Sequence, residues 1–213
     1  MKALDYPEPG AALTVVLFHG YGADAMDLAP LRKFIPRRAP IRWVFPDAPG
    51  HMWWRIDEQA LMERRWDAER EPSDLPATRA AAYDFLKTLG VPWSRLVLGG
   101  FSQGAMLSTD LVLRAPEQPA GLAILSGSLI TESRWRELAP RRAGLEVFQC
   151  HGEQDPILPF ALSVRLNELL TGAGLKGKLH AFEGGHMIPA EGLSALGAYL
   201  DSQARTAPEL SEE

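Results

Sequence analysis

The sequence predicts an α/β domain in which a mostly parallel sheet is flanked by helices. Apolar, β-branched runs alternate with helical stretches along the chain, which is the order of a doubly wound domain. The runs are nearly continuous in apolar character, as expected for strands that are covered on both faces. The length of 213 residues, with 46% hydrophobic residues, indicates a single domain over residues 1–213.

Six runs are predicted as strands. They occupy residues 14–20, 41–49, 95–101, 121–127, 146–152 and 177–185. Four stretches carry a helical stripe or a proline that marks a helix boundary. They are Ala77–Leu89, Gln103–Ala115, Phe160–Thr171 and Pro189–Ala204. Because ligands bind at the carboxyl ends of such strands, polar residues that follow the strands are the candidates for a site.

Two segments do not follow this alternation. Residues 50–75 contain Trp53, Trp54 and Trp66 beside a charged run, and the segment is too long for a plain connection. Two interpretations stay equally open, a wall or cover for a site and a solvated excursion whose tryptophans only pack. The polar, acidic tail at 201–213 is expected to fray.

Charge and composition exclude several classes of function. The net charge is −5 and the basic residues are scattered, so a nucleic-acid partner is not expected. The lone Cys150 excludes an intramolecular disulfide and is interpreted as a buried, inert thiol. No apolar stretch is long enough for a bilayer, and the N-terminus lacks a long apolar leader. We therefore expect a cytoplasmic protein without stable membrane insertion.

The stretch GFSQG at residues 100–104 fits the pattern G-x-S-x-G. The pattern alone is weak, but here a predicted strand enters it and a predicted helix leaves it, as a nucleophile elbow requires. This context predicts Ser102 as a nucleophile held at a strained corner. We interpret the glycines at positions 100 and 104 as residues without a side chain at points where neighbouring backbones come close together.

A serine nucleophile needs a base, and the histidines compete for that role. His186 follows two glycines just past the last predicted strand, at the ligand-facing edge, and is the best placed. His180 lies inside a strand pattern and is interpreted as structural, while His51 in the long excursion is a weak candidate. His19 and His151 each end a strand and are interpreted as loop-fixing residues.

The base needs an orienting acid, which we predict to be Asp155, in the loop after the strand EVFQCHG. Asp47 also ends a strand and is the strongest rival, although it precedes the serine in the chain. The order Ser102, Asp155, His186 is the chain order of α/β-hydrolases. The other candidates lie in helical patterns and are expected to face solvent: Asp84, Asp110 and Asp201.

The spacing of four between His151 and Asp155 raises a metal site as an alternative. A histidine at a strand end does not share a helix face with the aspartate, and no cysteine cluster or His-Glu-x-x-His pattern supports the site. We therefore predict no metal.

An acyl-transfer serine also needs donors for an oxyanion. One is expected to be the backbone N–H of Gln103, directly after the nucleophile. The second is expected from the loop HGYGAD at residues 19–24, where Tyr21 or Gly22 could supply the amide. A tight glycine turn without a catalytic donor is the alternative for this loop.

These motifs together resemble those of a known family. In order and spacing, HGYGAD, FPDAP, GFSQGAM, HGEQDPILP and GGHMIP look like the acyl-protein thioesterase/carboxylesterase (phospholipase/carboxylesterase) family of α/β-hydrolases, over about residues 12–200. The resemblance implies a minimal cap, no metal or organic cofactor, and cytosolic action on small-molecule acyl esters or thioesters. It also implies the triad named above, an oxyanion hole from the Tyr21 and Gln103 amides, and in some members a homodimer.

The sequence therefore predicts a serine hydrolase. We hypothesise that Trp53, Trp54 and Leu158 contact the acyl group. Family members often carry an aspartate where this chain has Arg55, so the acyl-site wall is expected to differ. Two alternatives stay open, another triad enzyme such as an acyltransferase or peptidase, and a non-catalytic binding module on the same scaffold.

Overall fold

Seven strands form one sheet in the computed structural model, which describes residues 1–63 and 66–208. The strands are β1 (Ala3–Tyr6), β2 (Leu13–Phe18), β3 (Ile41–Pro46), β4 (Leu96–Phe101), β5 (Gly121–Leu125), β6 (Val147–Gly152) and β7 (Leu179–Phe182). Their order across the sheet is β1-β3-β2-β4-β5-β6-β7. All neighbours are parallel except β1 and β3.

All six predicted strands are present, and the mostly parallel sheet confirms the predicted fold class. The additional strand, β1, was not predicted because its sequence, ALDY, has no continuous apolar run. It needs none, since it lies at the sheet edge and pairs with β3 alone.

The described helices are α1 (Ala25–Leu28), α2 (Glu58–Met62), α3 (Leu75–Thr88), α4 (Gln103–Arg114), α5 (Glu132–Leu138), α6 (Phe160–Gly172) and α7 (Ala190–Thr206). The four long ones match the four predicted helices. The short helices α1, α2 and α5 were not predicted, since four to seven residues display little of a helical period. No helix within the described ranges is long and apolar enough to cross a membrane.

The two faces of the sheet carry separate apolar cores. Along β2, Val16 and Phe18 belong to the core under α3, α4, α5 and α6, whereas Val15 and Leu17 belong to the core under α1 and α7. Successive side chains on a strand point to opposite faces. Both sets are apolar because both faces are covered, which explains the unbroken apolar runs in the sequence.

The two irregular segments are described in part. Residues 64–65 of the long excursion and 209–213 of the tail lie outside the described residues. The start of the tail differs from the expectation of fraying, because α7 continues to Thr206 and Gln203 is buried on it.

The connections place a crevice at the middle of the sheet. The chain runs from β2 outward to β3 and then returns to β4 on the other side of β2. The loops after β2 and β4 therefore diverge at the carboxyl ends of these two strands. Ligands of open α/β sheets bind at this kind of switch point.

Asp110 was expected to face solvent, and the structure shows that this was wrong. Its carboxylate is fully buried and accepts from Arg79 Nε at 2.5 Å, Arg114 Nε at 2.9 Å and Trp135 Nε1 at 2.9 Å. Arg79 also binds Glu71 at 2.8 Å. This ion-pair network fastens the end of the long excursion to α3, α4 and α5. A helical pattern alone does not reveal which polar residue is turned inward.

We expect the substitution Asp110→Ala to lower the free energy of unfolding by about 3–5 kcal/mol, because it removes a fully buried carboxylate from two half-buried guanidinium groups and leaves the buried Trp135 Nε1 without its acceptor. Denaturant titration measures the change. The matched control is Asp84→Ala, which removes an exposed pair with Lys87 at 3.1 Å and is expected to change stability by less than about 1 kcal/mol. Equal, small effects of the two substitutions would contradict the structural role of Asp110.

Candidate active site

A sharp corner between β4 and α4 presents Ser102 at the carboxyl edge of the sheet. Ser102 has φ 54° and ψ −117°, a conformation that a residue with a Cβ adopts only where its surroundings impose it. Its N–H donates to the Leu125 carbonyl at 2.9 Å, which ties the corner to the neighbouring strand. Helix α4 begins at Gln103, so the partial positive charge of its N-terminus lies beside the serine.

The glycines that flank this corner are required by close contact between backbones. A Cβ at Gly100 would lie 2.5 Å from the Phe18 carbonyl oxygen and 2.5 Å from the backbone of Gly104. A Cβ at Gly104 would overlap the Phe18 carbonyl and lie 2.6 Å from the His19 carbonyl oxygen. The corner is thus pressed against the end of β2, as the clearance interpretation of the motif expected.

The structure brings Ser102, His186 and Asp155 together in one hydrogen-bonded chain. Ser102 Oγ lies 2.9 Å from His186 Nε2, and His186 Nδ1 lies 2.7 Å from Asp155 Oδ2. The three residues follow β4, β7 and β6, respectively, at the same edge of the sheet. The imidazole side chain is only 16% exposed, and Phe101 packs against its ring with 4.8 Å between centroids.

Asp155 is buried, and donors surround its carboxylate. Oδ1 accepts from the amides of Ile157 and Leu158 at 2.8 and 2.9 Å, while Oδ2 faces His186 and lies 3.1 Å from His151 Nε2. Burial alone would raise the pKa of Asp155. The hydrogen bonds from His151, His186 and the Leu158 amide outweigh burial and hold this pKa well below its usual range. The carboxylate therefore stays ionised at neutral pH.

The loop after β2 lies against the serine corner. A Cβ at Gly20 would lie 3.4 Å from Ser102 Cβ, so the backbone of this loop reaches Ser102. The Gly22 amide is already used, since it donates to the His51 carbonyl at 2.7 Å. The amides of Tyr21 and Gln103 have no hydrogen-bond acceptor among the described residues. Of the two alternatives for the second donor, the geometry thus favours Tyr21 over Gly22.

The Gln103 side chain was not predicted to have a role, and it forms a clamp. It is fully buried; its Oε1 accepts from the Trp53 amide at 2.8 Å, and its Nε2 donates to the Trp54 carbonyl at 2.8 Å. Residue 103 therefore fixes the two tryptophans, about fifty positions away in the sequence, beside the serine corner. No local pattern signals such a contact.

The three residues predicted to contact the acyl group all belong to the core on the α3 side of the sheet, but they differ in their other contacts. Trp53 is buried against Phe18 and His19, and its Nε1 donates to the His19 carbonyl at 2.7 Å. Leu158 is buried in the same core. Trp54 lines a cavity of about 230 Å³ between the excursion and the loop after β5. Of the three residues, only Trp54 belongs to the lining of this cavity.

The wall of the cavity is part apolar and part charged. Its lining consists of Trp54, Ile56, Ala60, Trp66, Pro72 and Ile130 together with Arg55, Asp57, Asp67, Arg70 and Ser73. Trp66 Nε1 donates to the Leu129 carbonyl at 2.7 Å, which anchors the excursion. Ser102 is not part of the lining, so Trp54, held by Gln103, is the link between the cavity and the serine. Of the two interpretations of residues 50–75, these contacts favour a wall.

The other histidines contact groups other than Ser102, and for His19 and His180 these contacts are of the structural kind expected of them. His19 Nδ1 donates to the Gly20 carbonyl at 2.8 Å, and its Nε2 accepts from the Ala48 amide at 3.0 Å. Burial lowers the pKa of His19. His180 packs against Phe148 on the far strand of the sheet. His51 Nδ1 lies 3.2 Å from the Ala23 carbonyl.

The rival acid and the lone thiol are also accounted for. Asp47 accepts from the Ala25 amide at 2.7 Å and so supports α1. The Asp201 carboxylate accepts hydrogen bonds from the amides of Arg38 and Ala39. Asp84 is exposed, as expected. Burial raises the pKa of Cys150 to about 12, which makes its thiol unreactive.

Ser126 is a residue of the site that the sequence did not indicate. It is fully buried with φ 49°, and its Oγ donates to the Met187 carbonyl at 3.1 Å. This bond fixes the residue that follows His186. In the ranges that the structure describes, no group of three or more His, Cys, Asp or Glu side chains is arranged to hold a metal ion.

The sheet order, the serine corner and the histidine–aspartate pair define the class of α/β-hydrolases. The chain belongs to the phospholipase/carboxylesterase family, which it matches over residues 3–203, and it is a hydrolase enzyme.

Relatives and solved structures agree with this membership. Acyl-protein thioesterase 1 of Neurospora crassa is 26% identical over 94% of this chain and 90% of that protein. Acyl-protein thioesterase 1 of Kluyveromyces lactis is 30% identical over 68% of this chain and 70% of that protein. The crystal structure of esterase PE8 superposes with a TM-score of 0.75 at 27% identity, covering 97% of this chain and 98% of that one. Acyl-protein thioesterase 2 of Zea mays shares the fold, with a TM-score of 0.76 at 19% identity over 95% of this chain and 99% of that one.

We expect Gly104→Ala to lower the free energy of unfolding by about 1–3 kcal/mol or more, because the new Cβ overlaps the backbone at the end of β2. Calorimetry measures the corresponding decrease in melting temperature. Gly172→Ala is the control, since a Cβ at that position of α6 meets no atom within 4 Å, and it is expected to be neutral or slightly stabilising. A Gly104→Ala protein as stable as the Gly172→Ala protein would refute the clearance role of Gly104.

Proposed function

We propose that the protein hydrolyses carboxylic esters or thioesters of small to medium acyl groups through a covalent acyl-enzyme on Ser102. The observation that carries the proposal is the continuous chain from Ser102 Oγ through His186 to Asp155, with links of 2.9 and 2.7 Å. Membership of the phospholipase/carboxylesterase family supports the same chemistry. The substrate is a small-molecule acyl ester or thioester, and both classes use the same groups.

In the first half-reaction, Ser102 Oγ bonds to the acyl carbon while its proton passes to His186 Nε2. The carbonyl oxygen becomes an oxyanion, which the Tyr21 and Gln103 amides stabilise because neither amide has an acceptor among the described residues. Asp155 stays ionised, holds Nδ1–H of the imidazole and stabilises the imidazolium. The tetrahedral intermediate then expels the alcohol or thiol, which takes the proton from His186.

The second half-reaction uses the same residues with water as the nucleophile. The oxygen of a water molecule attacks the acyl carbon of the Ser102 ester while His186 takes a proton from that water. The intermediate collapses, the carboxylic acid leaves, and the proton on His186 returns to Ser102 Oγ. The enzyme is restored. In the net reaction one water molecule is consumed and one ester or thioester bond is hydrolysed.

We expect Ser102→Ala to lower turnover of a nitrophenyl ester by about 10⁴-fold or more. Ser108→Ala is the control, because Ser108 is a buried serine on the same helix whose Oγ only donates to the Ala105 carbonyl. It is expected to retain activity. A fluorophosphonate probe should label Ser102 and no other residue. Near-full activity of Ser102→Ala would rule out this mechanism, and acyl transfer to an added alcohol in preference to water would indicate an acyltransferase.

We also propose that the cavity beside Trp54 receives the acyl chain. Its lining includes the apolar side chains of Trp54, Trp66 and Ile130, and the Gln103 clamp connects Trp54 to the serine corner. The charged residues Arg55 and Arg70 also belong to the lining. They set a polar limit to the apolar wall, which favours acyl chains of short to medium length.

Trp54→Ala is expected to lower kcat/KM for medium-chain esters by about 10-fold relative to acetyl esters, because one to two buried methylene groups lose their contact. A series of nitrophenyl esters of increasing chain length measures this change. Trp93→Ala is the control, since Trp93 packs on Tyr83 and does not line the cavity. An unchanged chain-length profile for Trp54→Ala would remove this tryptophan from the acyl pocket.

A further inference from the structure

The imidazole of His151 lies behind the proposed triad acid, at the end of β6. It is fully buried. Its Nε2 lies 3.0 Å from the Leu158 carbonyl oxygen and 3.1 Å from Asp155 Oδ2, the same carboxylate oxygen that faces His186. Asp155 is therefore approached by two histidines, one on the substrate side and one from the interior of the protein.

The neighbours of the ring fix the position of its proton. Both groups near Nε2 are hydrogen-bond acceptors, so Nε2 must carry the proton. Nδ1 is buried and has no partner among the described residues. A second proton there would be a buried donor without an acceptor, which is unfavourable. His151 Nε2 thus carries a proton, and this N–H group is shared between two acceptors in a three-centre arrangement.

His151 and Asp155 hold the connecting turn from both sides. The Leu158 amide donates to Asp155 Oδ1 at 2.9 Å, while the Leu158 carbonyl accepts from His151 Nε2 at 3.0 Å. The backbone of residue 158 is therefore fixed by the carboxylate on one side and by the imidazole on the other. The carboxylate cannot rotate without breaking contacts at both of its oxygens.

We propose that His151 is a positioning residue of the triad, which fixes the rotamer of Asp155 so that Oδ2 faces His186 Nδ1. This inference rests on the proposed function. A side chain that only fixed the loop would need the Leu158 carbonyl alone. The additional contact of Nε2 with Oδ2, the oxygen that His186 uses, links His151 to the orientation of the base.

The test compares two variants by kcat and KM. His151→Leu replaces the imidazole with an apolar side chain of moderate size and so removes the hydrogen-bond donor. Its kcat is expected to fall about 10- to 100-fold, because small misplacements of catalytic groups have effects of that size. KM is expected to stay within about twofold, because His151 lies behind Asp155 and not on the substrate side. His151→Gln returns an N–H group near the position of Nε2 and is expected to restore most of the lost kcat.

Active-site titration with a fluorophosphonate separates positioning from folding. If His151 only maintains the fold, the fraction of titratable sites falls while kcat per titrated site stays at the wild-type value, and that outcome overturns the proposal. The control is His180→Leu, which removes a histidine that packs on Phe148 of the neighbouring strand and is expected to leave kcat per site unchanged. Wild-type kcat per site in His151→Leu, with Ser102→Ala still inactive, rejects this inference alone, whereas activity of Ser102→Ala rejects the proposed function.

A measurement on the wild-type protein keeps the proposal testable if His151→Leu does not fold. Nitrogen-15 NMR of the imidazoles reports which ring nitrogen carries the proton. We expect Nε2 of His151 to carry a proton, because both of its neighbours are acceptors. A proton on Nδ1 in place of Nε2 would leave nothing to donate to Asp155 and would overturn the proposal.

Discussion

The contact between the serine corner and the end of β2 is the constraint on which the site depends. Gly100 and Gly104 have no room for a Cβ because the carbonyl of Phe18 occupies that space. The same approach brings the loop after β2, with Tyr21, against Ser102. One backbone packing contact therefore places both Ser102, the proposed nucleophile, and the amide proposed as an oxyanion donor. The positive φ of Ser102 is imposed by this packing, and the two parallel strands that meet there make it rigid.

A second constraint is the charge at the base of the site. An ionised carboxylate is unfavourable in a buried place unless donors surround it, and Asp155 is surrounded by backbone amides and two imidazoles. These donors belong to the turn after β6, to β6 itself and to the turn after β7. The carboxylate thus needs three segments of chain in their native arrangement. Its low pKa means that this arrangement contributes stability above the usual aspartate range, and that the contribution is lost as the pH falls towards the folded-state pKa.

The sequence predicted the parts of this protein that depend on local patterns. Six strands were recognised because burial on both faces makes each a continuous apolar run, and the turn GFSQG was recognised because its neighbours are a strand and a helix. Strand β1 was missed because an edge strand needs no apolar run. The orientation of Asp110 was wrong because a helical period cannot say which polar residue finds buried partners. The Gln103 clamp joins residues about fifty positions apart, and no local pattern reports such a contact.

The Gln103 clamp also connects specificity with chemistry. The backbone N–H of this residue is the proposed oxyanion donor, and its side chain holds the backbone of Trp53 and Trp54. Because the side chain is fully buried, movement of the tryptophan segment is transmitted to the first turn of α4 or leaves buried amide groups unpaired. The wall of the proposed acyl pocket is therefore fixed to the serine corner. An acyl chain that displaces Trp54 would also disturb the Gln103 amide, which is proposed to stabilise the transition state. A poorly fitting acyl chain is therefore expected to reduce kcat as well as binding.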